Sequence, residues 1–184
     1  MIKYKGRIMK RKTTWTEVKK ALQTQYNKDG VICLIKELYD LSVKNKDFLN
    51  AKFAKNSTTM LEKYKEIVIE PFFPKKGGFG KLKLMPAKKA ISDYKKATND
   101  ILGTLDLMLT YVESGTDFTV QFGDIDENFY NSLVSVLYQF KKLITLKDLE
   151  YFKVRLIKLN DKACNIGWGY GDGVSDVLVD FGII

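Results

Sequence analysis

The chain has 184 residues, 45% hydrophobic and 29% charged, with a formal net charge of +9 at pH 7. That length predicts one globular domain with a core of its own, and the composition excludes disordered, collagenous and low-complexity classes. There is no histidine, which removes the usual general base, the commonest metal ligand and the near-neutral pH switch, and excludes Ser-His-Asp and Cys-His mechanisms.

Cys33 and Cys164 lie far apart with no CxxC spacing, so a structural zinc site is excluded. Both sit in apolar helical patterns and read as reduced core thiols of a cytosolic protein, with a disulfide between them as the alternative. The N-terminal stretch MIKYKGRIMKRKTTW is basic but lacks the apolar run of about 7–15 residues that a signal peptide needs. No apolar run approaches the ~20 residues of a membrane span. A cytoplasmic protein without a membrane partner is therefore expected. Residues 1–12 read as a basic flexible tail, Met9 offers a second start, and residues 13–184 read as a single helical domain.

Helical periodicity dominates the rest. Thr14-x-x-Glu17 is a capping box, followed by Trp15, Val18, Leu22 and Tyr26 at helical spacing. Asp29-Gly30 is expected to break that helix and cap the next, where Val31, Leu34, Ile35, Leu38 and Leu41 form an apolar stripe. A short helix over Lys46–Lys55 and a second capping box, Thr59-x-x-Glu62, follow. All three prolines, Pro71, Pro74 and Pro86, fall in one stretch with Gly77, Gly78 and Gly80. The helix must stop there, since proline lacks the amide donor and disfavours helix in its predecessor. The stretch 71–86 is thus a long basic loop and a potential sub-boundary.

Pro86 suits a first helical turn. Ala87, Ala90, Ile91, Tyr94 and Ala97 are expected to face inward, with Lys88, Lys89, Lys95 and Lys96 outward. Residues 100–113 are apolar almost all round and are placed at the centre. Thr116–Phe122 (TDFTVQF) is the best strand candidate, though it has no partner strand. Asp124-x-x-Glu127 and Thr145-x-x-Asp148 are expected to open two further helices, and Asp172 to cap a short last one. The predicted fold is all-α: an irregular bundle or short array of about eight helices.

Charge is uneven. Residues 1–85 carry 20 Lys/Arg and 8 Asp/Glu, whereas residues 86–184 carry 11 and 14. A basic first half suggests an anionic partner, and the plain alternative is a set of solvated lysine faces. Lysine heavily outnumbers arginine, against specific base readout.

Three segments are candidates for chemistry. In PKKGGFGKLKLMPAKK, residues 74–89, Lys75, Lys76, Lys81, Lys83, Lys88 and Lys89 surround a Gly-rich turn entering a helix. Free amides and close backbone approach suit anion binding there, although neither a Walker A nor a dinucleotide fingerprint is present. The structural alternative is a solvated linker. The acids Glu113, Asp117, Asp124, Asp126 and Glu127 would hold Mg²⁺ if they converged, with Lys83 or Lys88 stabilising a developing oxyanion. Their structural alternative is helix caps and first-turn acids, or ion pairs with the basic loop. In IGWGYGDGVSD, Trp168 and Tyr170 lie between glycines ahead of Asp172, where they would stack a base or sugar or, structurally, close the core.

The segments FFPKKGGFGKLKLMPAKKAISDYKK, LMLTYVESGTDFTVQFGDIDENFYNSL and IGWGYGDGVSD, with LIKELYDLSVKNKDFLNAKF before them, resemble an uncharacterised bacterial family of small helical proteins described only as a domain of unknown function. The resemblance covers roughly residues 14–180 and implies an intracellular, mostly helical protein. It carries no activity, cofactor or catalytic residue. The leading expectation is a non-enzymatic binding or adaptor protein, without cofactor, whose lysine-rich loop contacts nucleic acid or an acidic protein. The alternatives are a Mg²⁺-dependent phosphodiesterase or phosphate-handling enzyme built on the Asp/Glu cluster, and a homo-oligomeric structural protein.

Overall fold

A computed structural model describes residues 13–53 and 57–184. Among the described residues there are nine helices and no strand, an all-α fold. They are α1 (Trp15–Gln25), α2 (Lys28–Leu41), α3 (Val43–Phe53), α4 (Ser57–Ile69), α5 (Leu84–Thr98), α6 (Ile101–Phe122), α7 (Glu127–Leu143), α8 (Leu146–Ala163) and α9 (Tyr170–Asp180). Contacts divide the chain into two units, Met1–Asp47 and Phe48–Ile184. The division falls within α3 rather than in the Pro/Gly loop, whose flanking helices α4 and α5 pack on each other. The expected tail, residues 1–12, lies outside the described residues.

In the first unit the Thr14 capping box forms as expected: Thr14 accepts from the Glu17 amide, and Glu17 Oε2 accepts from the Thr14 amide at 2.7 Å. The next cap is Asn27, not Asp29. Its side chain accepts from the Gly30 amide at 2.8 Å, placing Asp29-Gly30 inside the first turn of α2. Neither α1 nor α2 contains a buried residue. Ile35, Leu38 and Leu41 of the apolar stripe are exposed, as is Cys33, so the core-thiol expectation fails there.

In the second unit α6 occupies the centre, touching α4, α5, α7 and α8, while α9 closes over α7 and α8. Fifteen of its 22 residues are buried. Leu133 of α7 packs directly over Gly115, where a Cβ would stand 2.5 Å from the end of the leucine side chain. The expected strand Thr116–Phe122 is instead the last part of α6. Helical spacing puts Phe118 and Phe122 on one side, 4.8 Å between ring centroids, and Thr116 satisfies its hydroxyl within the helix by donating to the Val112 carbonyl at 2.8 Å.

The inward face of α5 is the expected one, Ala87, Ala90, Ile91, Tyr94 and Ala97, although Lys88 is half-buried. Helix α4 starts at Ser57, so Thr59 lies inside it. Asp126, not Asp124, caps α7 and accepts from the Phe129 amide at 2.9 Å. Gly169, not Asp172, precedes α9. Cys164 is free and exposed. Among the described residues no helix is long and apolar enough to cross a membrane.

Candidate anion-binding cleft

The Pro/Gly loop is a built structure rather than a linker. Helix α4 ends at Ile69, two residues before Pro71. Phe72 is fully buried, its ring 5.4 Å from Tyr111 and 6.2 Å from Phe129. Phe73 packs on Phe118 at 6.0 Å, and Phe79 on Phe122 at 4.3 Å. Three aromatic rings thus fasten the loop to α6 and α7. The backbone then returns on itself, the Leu82 amide donating to the Pro71 carbonyl at 3.1 Å. Gly80 makes that return sterically feasible, since a Cβ there would sit 2.0 Å from the Pro71 oxygen.

This fold-back leaves a cleft of about 740 Å³ between the loop and the end of α4. Its apolar walls are Ile67, Pro71, Pro74, Phe79 and Pro86. Its charged lining is Lys75, Lys81 and Lys83 together with Glu66 and Glu70. Lys75 is neutralised by Glu66 at 2.7 Å, and its amide donates to Glu70 at 3.2 Å. Lys81 and Lys83 have no carboxylate partner among the described residues. The other candidate lysines lie elsewhere. Lys76 is exposed outside the lining. Lys88 lines a separate hollow of about 260 Å³ with Lys95. Lys89 pairs with Asp93 at 3.2 Å.

The acids do not gather. Glu113 and the end of α6 are nine residues apart, about 14 Å along the helix. Glu113 is held by Arg155, which donates from Nε to Oε1 at 2.9 Å and from Nη2 to Oε2 at 2.6 Å. Asp117 pairs with Lys162 at 2.5 Å. Asp126 is a cap, and Glu127 is in the first turn of α7. No group of three His, Cys, Asp or Glu side chains among the described residues is arranged to hold a metal ion.

Asp124 joins the third segment. Its Oδ2 accepts from Trp168 Nε1 at 2.8 Å, and its Oδ1 accepts from the Tyr130 hydroxyl at 2.6 Å. Those bonds, Tyr130 first, hold the Asp124 carboxyl below the usual carboxylate range. Burial, then Asp124, pushes the Tyr130 phenol up. Trp168 is 55% exposed at φ +59°, so it does not close the core. The buried ring is Tyr170, whose hydroxyl meets Thr116 at 2.5 Å. The three segments therefore meet in succession around the end of α6, through Phe79–Phe122 and Asp124–Trp168. The cleft lining includes neither Asp124 nor Trp168.

Residues 13–181 match the family of unknown function DUF6155. The chain belongs to this family. No curated protein and no solved structure matches it. The DUF6155 match spans the loop, all of α6 and Trp168.

A further ion network lies inside the second unit, on residues Arg155, Asp106 and Lys65 that charge patterning in the sequence does not single out. Arg155 also bonds Asp106, and its Nη2 donates to Thr110 at 3.2 Å, while Lys65 reaches Asp106 at 2.8 Å. The network joins α4, α6 and α8. Burial disfavours the Arg155 charge, but hydrogen bonds and attraction from Glu113 and Asp106 more than offset it and raise its pKa. The available signal was an acid, Asp106, inside an apolar helix, and a single arginine in residues 13–184.

Proposed function

We propose that this protein is a non-enzymatic binding or adaptor protein whose Pro/Gly cleft contacts an anionic partner. The observation behind this reading is that Lys81 and Lys83 line the cleft without a carboxylate partner among the described residues. Two unneutralised ammonium groups on one concave surface concentrate anions locally, and the net charge of +9 speeds encounter. Binding is favoured over Mg²⁺-dependent phosphoester hydrolysis because Glu113, Asp124 and Asp126 are each engaged by groups of the chain itself. Two free thiols suit a reducing, cytoplasmic setting.

The test is anisotropy of labelled poly-glutamate, single-stranded RNA and duplex DNA across a salt series. At least one polyanion is expected to bind at low salt and weaken steeply as salt rises. Lys81→Glu/Lys83→Glu should lower affinity about tenfold, whereas Lys19→Glu/Lys20→Glu on α1 should not. No binding to any of the three at low salt contradicts the reading.

The exposed apolar residues of the first unit favour a second reading, self-association. The stripe lies on α2 rather than on α9, where Val174, Val177 and Leu178 are buried. Residues 13–47 carry six lysines and five acids, so two copies would repel little. A dimer by light scattering that Leu38→Glu/Leu41→Glu dissociates supports it; a monomer at high concentration overturns it.

A further inference from the structure

Resting on the anion-binding reading, we infer that the partner is an acidic protein segment with an apolar anchor, in which Asp or Glu flanks a Leu, Ile or aromatic side chain seated in the Pro/Gly cleft. The volume of about 740 Å³ lies within the range of roughly 300–1,000 Å³ of ligand pockets, enough for a few side chains. Its walls are mainly proline rings, Ile67 and Phe79. A bare phosphate chain would leave them wet, while an apolar side chain would remove them from water at roughly 25 cal/mol per Å².

The anchor site is pre-formed. Phe79 is 68% exposed, yet its ring rests on Phe122 at 4.3 Å and Phe118 at 5.9 Å. The Leu82–Pro71 hydrogen bond and the tight approach at Gly80 hold the loop behind it, so little ordering is needed on binding.

The charges select against a continuous polyanion. Glu66 and Glu70 share the lining with the lysines. Glu66 is occupied by Lys75, and Glu70 holds the Lys75 amide. Favourable positions for a carboxylate are therefore confined to Lys81 and Lys83. A ligand with one or two acids beside an apolar residue meets that pattern, whereas uniform negative charge meets repulsion as well. Arginine, the residue suited to bidentate phosphate contacts, occurs once in residues 13–184 and is committed to Glu113 and Asp106.

Three labelled probes test this on the full chain: an acidic peptide containing Phe and Leu, a peptide of equal charge with Gly and Ser in their place, and a single-stranded RNA. The first should bind at least about tenfold tighter than the other two. Phe79→Ser and Lys81→Glu/Lys83→Glu should each lower its affinity by about tenfold. Ile67→Gln, on the α4 side of the lining, should weaken it too if Phe79→Ser proves to lower the melting temperature. Equal binding of the two peptides, insensitive to Phe79→Ser and Ile67→Gln but lost in the lysine variant, overturns this inference and leaves the anion-binding reading standing. Tightest binding to RNA overturns it in favour of nucleic acid. No binding of any probe at low salt overturns both.

Discussion

Helices α2 and α6 have equally clear local signals and opposite environments. Each opens on a side chain that caps a glycine amide, Asn27 to Gly30 and Asp100 to Gly103, and each carries apolar residues at helical spacing. Helix α6 buries Leu105, Leu107, Leu109 and Tyr111 completely under α4, α5, α7 and α8. Helix α2 has no fully buried residue and leaves Leu41 76% exposed. Caps and periodicity decide whether a helix forms. What packs on it decides how much stability its apolar face supplies.

The sharpest way to break this contrast is truncation on each side. Leu107→Ala in α6 should cost about 2–5 kcal/mol in urea unfolding, and Leu38→Ala in α2 about 0.5 kcal/mol or less. Equal losses would mean that the α2 face is covered in solution. The next largest effect belongs to Arg155. Its removal leaves Asp106 and Glu113, side chains only 11% and 28% exposed, without their guanidinium. Arg155→Ala should destabilise by about 2–4 kcal/mol, less than a fully buried pair because water reaches the site, and Asp106→Asn in that background should restore part of it.

Smaller effects appear in pH. Burial pushes the Tyr111 phenol up to about 12 and also raises Tyr94 and Tyr170. The unfolded chain loses these protons near the ordinary value of 10.0 while the folded chain keeps them. Their contribution is thus complete below about pH 10 and declines as pH rises toward 12. Phenolate absorbance should show these rings titrating above the ordinary value of 10.0. Asp124 runs the other way. Its lowered pKa gives stabilisation that is present above the ordinary carboxylate range and lost as pH falls through its folded value. Trp168→Phe, which removes one hydrogen bond and keeps a ring, should raise the Asp124 pKa in a carboxyl NMR titration; no change would deny the indole that role.

Much of the fold was legible because it follows local rules. The small and apolar spacing of Ala87, Ala90, Ile91, Tyr94 and Ala97 fixes one face of α5, and an all-round apolar run places α6 at the centre. TDFTVQF misleads because apolar Phe118, Val120 and Phe122 alternate with polar Asp117, Thr119 and Gln121, a period that suits a strand, and only the fit of Phe118 and Phe122 against Phe79 and Phe73 decides for helix. The caps at Asp126 and Gly169 were missed because several capping residues crowd each junction. The lysine-rich region was visible as a region, but the state of each lysine was not. The Lys89–Asp93 pair follows from i,i+4 spacing, whereas Glu66 reaches Lys75 only because the loop folds back. The apolar half of the cleft, Ile67 and Phe79, has no signal in charge at all.

On the anion-binding reading, accessible positive charge acts at one place rather than over the whole lysine-rich surface. Titration of the ¹⁵N-labelled protein at low salt with the acidic peptide containing Phe and Leu separates the two. Amide shifts should concentrate at Ile67 and across Gly77–Leu84, with α1 and the Lys95–Lys96 turn unmoved. Shifts of similar size at every lysine-bearing helix would contradict it.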